Sequence, residues 1–130
     1  MRPSLVTKTS RRIVMNKAFL TIIGVLAFSS HALAADVANG KTLFAQRCAM
    51  CHGEKGAGDG ALAATMPEGQ KPRNLAAGGN KYATDDAKLK EIIQKGGAAV
   101  GLSVLMPAQS DLNDAQLGDL VAFVNSLKAK

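Results

Sequence analysis

The sequence predicts an all-α domain with long loops. Three stretches carry apolar residues at helical three- and four-residue intervals, over about 36–46, 84–95 and 113–127. No alternating run is long enough to specify a strand, and no internal repeat is present. The segments between the helices hold a glycine run at 53–60, prolines at 67 and 72, and an aperiodic stretch at 98–110.

A chain of 130 residues holds one domain at most. Residues 1–34 read as a leader and a cleaved signal peptide. Arg11, Arg12 and Lys17 form a basic lead-in, and Ala18 to Phe28 is an uncharged apolar run. Ala32-Leu33-Ala34 then supplies the small-residue end of a secretory signal, so cleavage is expected after Ala34. Met15 is an alternative start. Ser10-Arg11-Arg12 is only a partial match to a twin-arginine signal, and ordinary Sec export is the expected route. A retained anchor would want about 20 apolar residues. Ser29, Ser30 and His31 interrupt this run. Membrane association is therefore expected only if the signal segment is kept. The expected domain is 35–130, in the periplasm or an equivalent exported compartment.

The formal net charge of +6 misleads. Arg2, Lys8, Arg11, Arg12 and Lys17 supply five positive charges within a leader that has no acid, which leaves +1 for 35–130. Nothing in that balance points to nucleic acid. The segment 35–130 is also poor in aromatics, with only Phe44, Tyr82 and Phe123. So small a domain buries a modest core and often needs a staple.

The elements follow in order. Asp36 can cap a helix over 36–46, with Val37, Leu43 and Phe44 on its apolar side. Gly40 costs this helix roughly 1 kcal/mol against alanine, which calls for a packing reason. The last helix offers one, through Leu120 and Phe123. Residues 53–60 read as a flexible turn, and Ala61 to Met66 as a short helical turn ended by Pro67. Thr84 or Asp85 caps the next helix, whose stripe is Leu89, Ile92 and Ile93 and which Gly96-Gly97 stops. Asn113 and Gln116 form a capping box before Leu117, Leu120, Val121, Val124 and Leu127.

The chemistry sits in Cys48-Ala49-Met50-Cys51-His52. Two thiols three residues apart, followed at once by an imidazole, read in an exported chain as covalent attachment of one haem c. One tight turn holds both thiols at the porphyrin edge. His52 then lies beneath the iron as its proximal ligand. The flat apolar ring would also fill a centre that the missing aromatics leave empty. A thioredoxin-like dithiol would need strands, and zinc would need more Cys or His ligands than 35–130 holds.

On these residues the stretch 36–128 resembles the small monohaem cytochromes c of class I. The resemblance implies helices packed around one covalent haem. It implies that Gly40 and Phe44 pack against the last helix, and that Pro72 presents its backbone carbonyl to His52. Arg73 is placed to reach a haem propionate or to stand as an exposed loop arginine, and Leu75 to pack on the ring. Among the methionines of 35–130, Met50 lies between the cysteines and cannot reach the distal face. Met66 and Met106 both precede a proline, and either can fill the sixth position. The family's distal Met-Pro matches Met106. With His31 in the leader, 35–130 has no second histidine for the iron.

The implied function is one-electron transfer without catalysis. Iron with both axial positions filled leaves no vacant site for substrate, and a Met ligand raises the potential above that of a bis-histidine haem. Partners would be a terminal oxidase, a cytochrome complex or a dehydrogenase, met as a free monomer or as a fellow subunit. The Lys55–Asp59 loop and Lys71-Pro72-Arg73-Asn74-Leu75 loosely resemble cytochromes that serve such enzymes. Lys55, Lys71, Lys81 and Lys95 are candidates for a docking rim. The alternative is a haem enzyme or sensor whose distal Met dissociates to admit peroxide or a gas.

Overall fold

The computed structural model describes residues 34–78 and 81–128. Apart from Ala34, the expected leader and signal peptide lie outside them. Among the described residues no helix is long and apolar enough to cross a membrane. There are no strands among them either. The fold is all-α: α1 (Val37–Arg47), α2 (Ala49–His52), a 3-10 turn (Ala63–Thr65), α3 (Asp86–Ala99) and α4 (Asp114–Ser126).

α1 starts where the sequence places its cap. The Asp36 carboxylate accepts from the Ala38 and Asn39 amides at 2.9 and 3.1 Å. These are donors that the first helical turn leaves unsatisfied. The helix buries Gly40, Leu43 and Phe44 against α4. Gly40 is a contact point between backbones: a Cβ there would lie 2.0 Å from the Asp119 carbonyl oxygen and 2.9 Å from Phe123 Cβ. The Phe44 and Phe123 rings meet beside it, with centroids 5.2 Å apart and planes tilted by 56°. Leu120 is fully buried at the same junction.

Asp119 completes this crossing. Its carboxylate accepts from the Asp36 amide and from Asn39 Nδ2, both at 2.7 Å. α4 begins with the expected capping box: Asn113 Oδ1 accepts from the Gln116 amide at 2.9 Å, and Gln116 Oε1 from the Asn113 amide at 3.1 Å.

α3 is capped by Asp85, whose carboxylate accepts from the Lys88 amide at 2.8 Å. Gly96 breaks it with φ of 77°, a left-handed backbone that favours glycine. One further turn follows to Ala99. The glycine pair does more than stop the helix. A Cβ on Gly96 would lie 2.7 Å from the Ala108 nitrogen, and one on Gly97 2.1 Å from the Ser103 carbonyl oxygen. The 103–108 segment thus lies directly on the end of α3. Leu112, just before α4, joins the core although no helical period marked it.

The glycine run at 53–60 is a braced turn, contrary to the flexible one expected. Gly58 and Gly60 donate their amides to the His52 and Cys51 carbonyls at 2.8 and 3.0 Å. The Leu62 amide reaches the Met50 carbonyl at 3.0 Å. A side chain at Gly60 would strike the backbone of α2, with Met50 O 2.4 Å and Ala49 O 2.6 Å from the Cβ position. Glycine is used here for close approach.

Candidate haem site

α1 ends at Cys48, whose amide donates to the Phe44 carbonyl at 2.8 Å. α2 then turns once. The Cys51 and His52 amides both reach the Cys48 carbonyl, at 3.1 and 2.8 Å. This single turn carries Cys48, Cys51 and His52 to one cleft and leaves Met50 60% exposed on its outside. Cys48 and Cys51 are not joined to each other in a disulfide. Burial pushes the Cys48 thiol up to about 11, although neighbouring Arg47 acts the other way. Among the described residues no three His, Cys, Asp or Glu side chains cluster to hold a metal ion.

The cleft has two adjoining halves, a smaller and a larger, that share part of their lining. Cys48, His52, Ile93, Ser103 and Met106 stand in the walls of both. Phe44, Leu75, Leu89, Ile92, Leu102, Leu120 and Val124 give the larger half an apolar lining. The α3 stripe is therefore core on one side and cleft wall on the other.

His52 Nδ1 lies 3.1 Å from the Arg73 carbonyl oxygen. A carbonyl only accepts, so Nδ1 is the protonated nitrogen and Nε2 keeps its lone pair for a metal. Burial lowers the imidazole's pKa, against the opposing pull of the Arg73 carbonyl. The neutral form, the one able to ligate, is thereby favoured.

This corrects the role expected of Pro72. The carbonyl that orients His52 belongs to Arg73. The Pro72 carbonyl faces Gly58 instead, 2.7 Å from where a Cβ on that glycine would stand. The Leu75 amide, bonded to the Gly56 carbonyl at 2.6 Å, sets the register that brings residue 73 beneath the ring. Pro72 still lines the cleft. The Arg73 guanidinium stands over the Tyr82 ring, 4.2 Å from its centroid, while the residue also lines the larger half.

Met106 lines both halves of the cleft and Met66 only the smaller. Of the rim lysines, Lys71 is paired with Glu68, Lys95 with Glu91 at 3.0 Å, and Lys81 lies 5.0 Å from the Tyr82 ring centroid.

The residues fit a haem. An apolar slot runs between a paired-thiol turn with an oriented imidazole and a thioether on a loop. An all-α domain with this slot defines a covalent-haem electron-transfer protein. The comparisons with known proteins agree. The family model for cytochrome c matches residues 37–128. The chain belongs to the cytochrome c family, whose cofactor is covalent haem c, and Cys48, Cys51 and His52 have the spacing of its attachment motif.

Two curated relatives are cbb3-type cytochrome c oxidase subunits CcoP. The one from Azospirillum brasilense is 39% identical over 100 residues, which cover 76% of this chain and 30% of the relative. The one from Azospirillum sp. strain B510 is 38% identical over 95 residues, 72% of this chain and 29% of the relative. The chain thus spans about 30% of the length of these relatives. A solved reducing HAO-like protein complex from Kuenenia stuttgartiensis matches with a TM-score of 0.59 and 31% identity, over 69% of this chain and 41% of that one.

When bound, haem c supplies a reversible one-electron couple between ferric and ferrous iron. The chain's own part would be to tether it through Cys48 and Cys51 and to hold His52, whose Nδ1 meets the Arg73 carbonyl, with Leu89, Ile92 and Ile93 as an apolar wall.

Proposed function

We propose that this chain is a one-electron carrier with His52 and Met106 as its axial ligands, working in the periplasm and exchanging electrons with a larger redox complex. A terminal oxidase is the partner class suggested by the oxidase-subunit relatives, with a dehydrogenase or another cytochrome complex as the other candidates. Whether as a free monomer or a fellow subunit, the chain would do the same chemistry. The carrying observation is that Met106 and His52 both border both halves of one cleft, with Nδ1 of His52 already engaged. A filled sixth position suits transfer, because little nuclear rearrangement accompanies the change of charge.

Intact mass and a visible spectrum of the exported protein test the reading. The expected results are one added haem, cleavage after Ala34, and a Met-to-iron charge-transfer absorption in the oxidised form. Met106→Ala should abolish that absorption and lower the potential, while Met66→Leu should leave both. Loss of the absorption in Met66→Leu with retention in Met106→Ala would reverse the ligand assignment. A wild-type protein without the absorption, but with ready binding of peroxide or a gas, would favour the enzyme or sensor reading.

A further inference from the structure

The segment from Ser103 to Asp111 carries Met106 past the cleft and then enters α4. Leu105, Met106 and Pro107 border the smaller half of the cleft, yet the segment stays open to solvent in places. Val104 is 69% exposed and Leu105 44%. Polar ties supplement the packing of Met106 against the core in holding it down.

Two backbone bonds moor it to α3. The Gly97 amide donates to the Met106 carbonyl, and the Gln109 amide to the Ile93 carbonyl, both at 3.0 Å. Gln70 moors it to the loop after the 3-10 turn: Gln70 Oε1 accepts from the Val104 amide at 3.0 Å and lies 2.8 Å from Ser103 Oγ. Neither tie reaches the helix that leads into the cysteines.

Arg47 makes that connection. Nη1 donates to Asp111 Oδ1 and to Gln109 Oε1, both at 3.0 Å, and Nη2 donates to Asp111 Oδ2 at 2.7 Å. The two guanidinium–carboxylate bonds run in parallel, the bidentate form that adds geometric definition to charge. Arg47 immediately precedes Cys48, a point of covalent attachment, and itself lines the cleft. Asp111 follows Met106 by five residues.

We infer that Arg47 and Asp111 are positioning residues that latch the Met106 segment to the haem-bearing end of α1 and so protect the iron's sixth position from competing ligands. This rests on the Met106 ligation proposed above. With the latch shut, Met106 stays at its post. With it broken, the segment keeps its ties to α3 and Gln70 but lifts more readily on the α1 side.

The test is imidazole titration of the oxidised, haem-loaded full chain, followed by loss of the Met-to-iron absorption. Asp111→Asn and Arg47→Gln should each raise imidazole affinity by roughly threefold, the scale of a partly exposed ion pair. The double charge swap, Arg47→Asp with Asp111→Arg, should return affinity towards wild type. Lys88→Met breaks a comparably exposed pair on α3, bonded to Glu91 at 2.7 Å, and should leave imidazole affinity unchanged. Equal affinity in Asp111→Asn and wild type would overturn the latch while the absorption upholds the ligand. An equal rise in Lys88→Met would overturn it too, by showing a general loss of stability. Absence of the absorption in wild type would overturn the ligand reading itself.

Discussion

The Gly40 Cα packs against the Asp119 carbonyl, so closely that a Cβ would stand 2.0 Å from that oxygen. Two helix backbones touch there, and neither can give way without moving the Phe44–Phe123 pair beside them. Gly40→Ala gains roughly 1 kcal/mol of helix propensity. It also forces α1 off α4, an overpacking that costs more, about 1–3 kcal/mol or above. The expected outcome is net destabilisation, read as a lower denaturant midpoint of the haem-loaded protein. An unchanged midpoint would mean that the two backbones can part at this point without cost.

Asp119 holds that crossing from its other side, through the Asp36 amide and Asn39 Nδ2. Asp119→Ala should cost about 1–2 kcal/mol, the net worth of charge-assisted hydrogen bonds at a half-exposed site. Asn39→Ala should cost less, since it leaves the bond to Asp36. Chemical denaturation of the two variants checks the order.

At Gly96 a side chain meets two obstacles. The φ of 77° disfavours any residue with a Cβ, and that Cβ would sit 2.7 Å from the Ala108 nitrogen. Gly96→Ala should push the 106–108 segment away from α3. Weakening of the Met-to-iron absorption, alongside a loss of about 1–3 kcal/mol in stability, is the expected pair of readouts. A stable variant with full absorption would show that the segment is held elsewhere.

The Arg47 guanidinium holds the Asp111 carboxyl below its ordinary value of 3.8. Its contribution to stability is therefore complete above about pH 4 and is lost as pH falls through the lower folded value. Asp111→Asn removes that contribution at neutral pH, so wild type and variant should differ most above pH 4 and converge in acid. Denaturant midpoints from pH 3 to 7 would show it; a constant difference down to pH 3 would count against the pair. Glu91, flanked by Lys88 and Lys95, is depressed in the same direction, so Asp111→Asn should not flatten the acid limb entirely.

Much of the fold was legible because its signals are local. Helix periods, the Asp36 and Asp85 caps and the Asn113–Gln116 box depend on neighbours within a turn, and the structure keeps them all. Gly40 was legible for another reason: a glycine amid good helix positions demands a close partner. The Cys48, Cys51 and His52 turn was legible because its chemistry is written in consecutive residues.

Other features depend on which distant groups meet. Asp119 reads as an ordinary polar helix residue, and only the α1–α4 crossing makes it a bracket for Asp36 and Asn39. Gly96-Gly97 reads as a stop, and only the returning chain makes it a seat for Met106. The family pattern assigned Pro72 the carbonyl that orients His52. The Leu75–Gly56 bond sets a register that gives the role to Arg73 instead.

The local order of residues specified the helices, their caps and the haem-attaching turn, since backbone propensity and thiol spacing act over a few residues. Tertiary packing decided which carbonyl holds His52 and which charge reaches across to Asp111. Those choices turn on a peptide's facing and on a few ångströms between segments far apart in the chain, which no local pattern encodes.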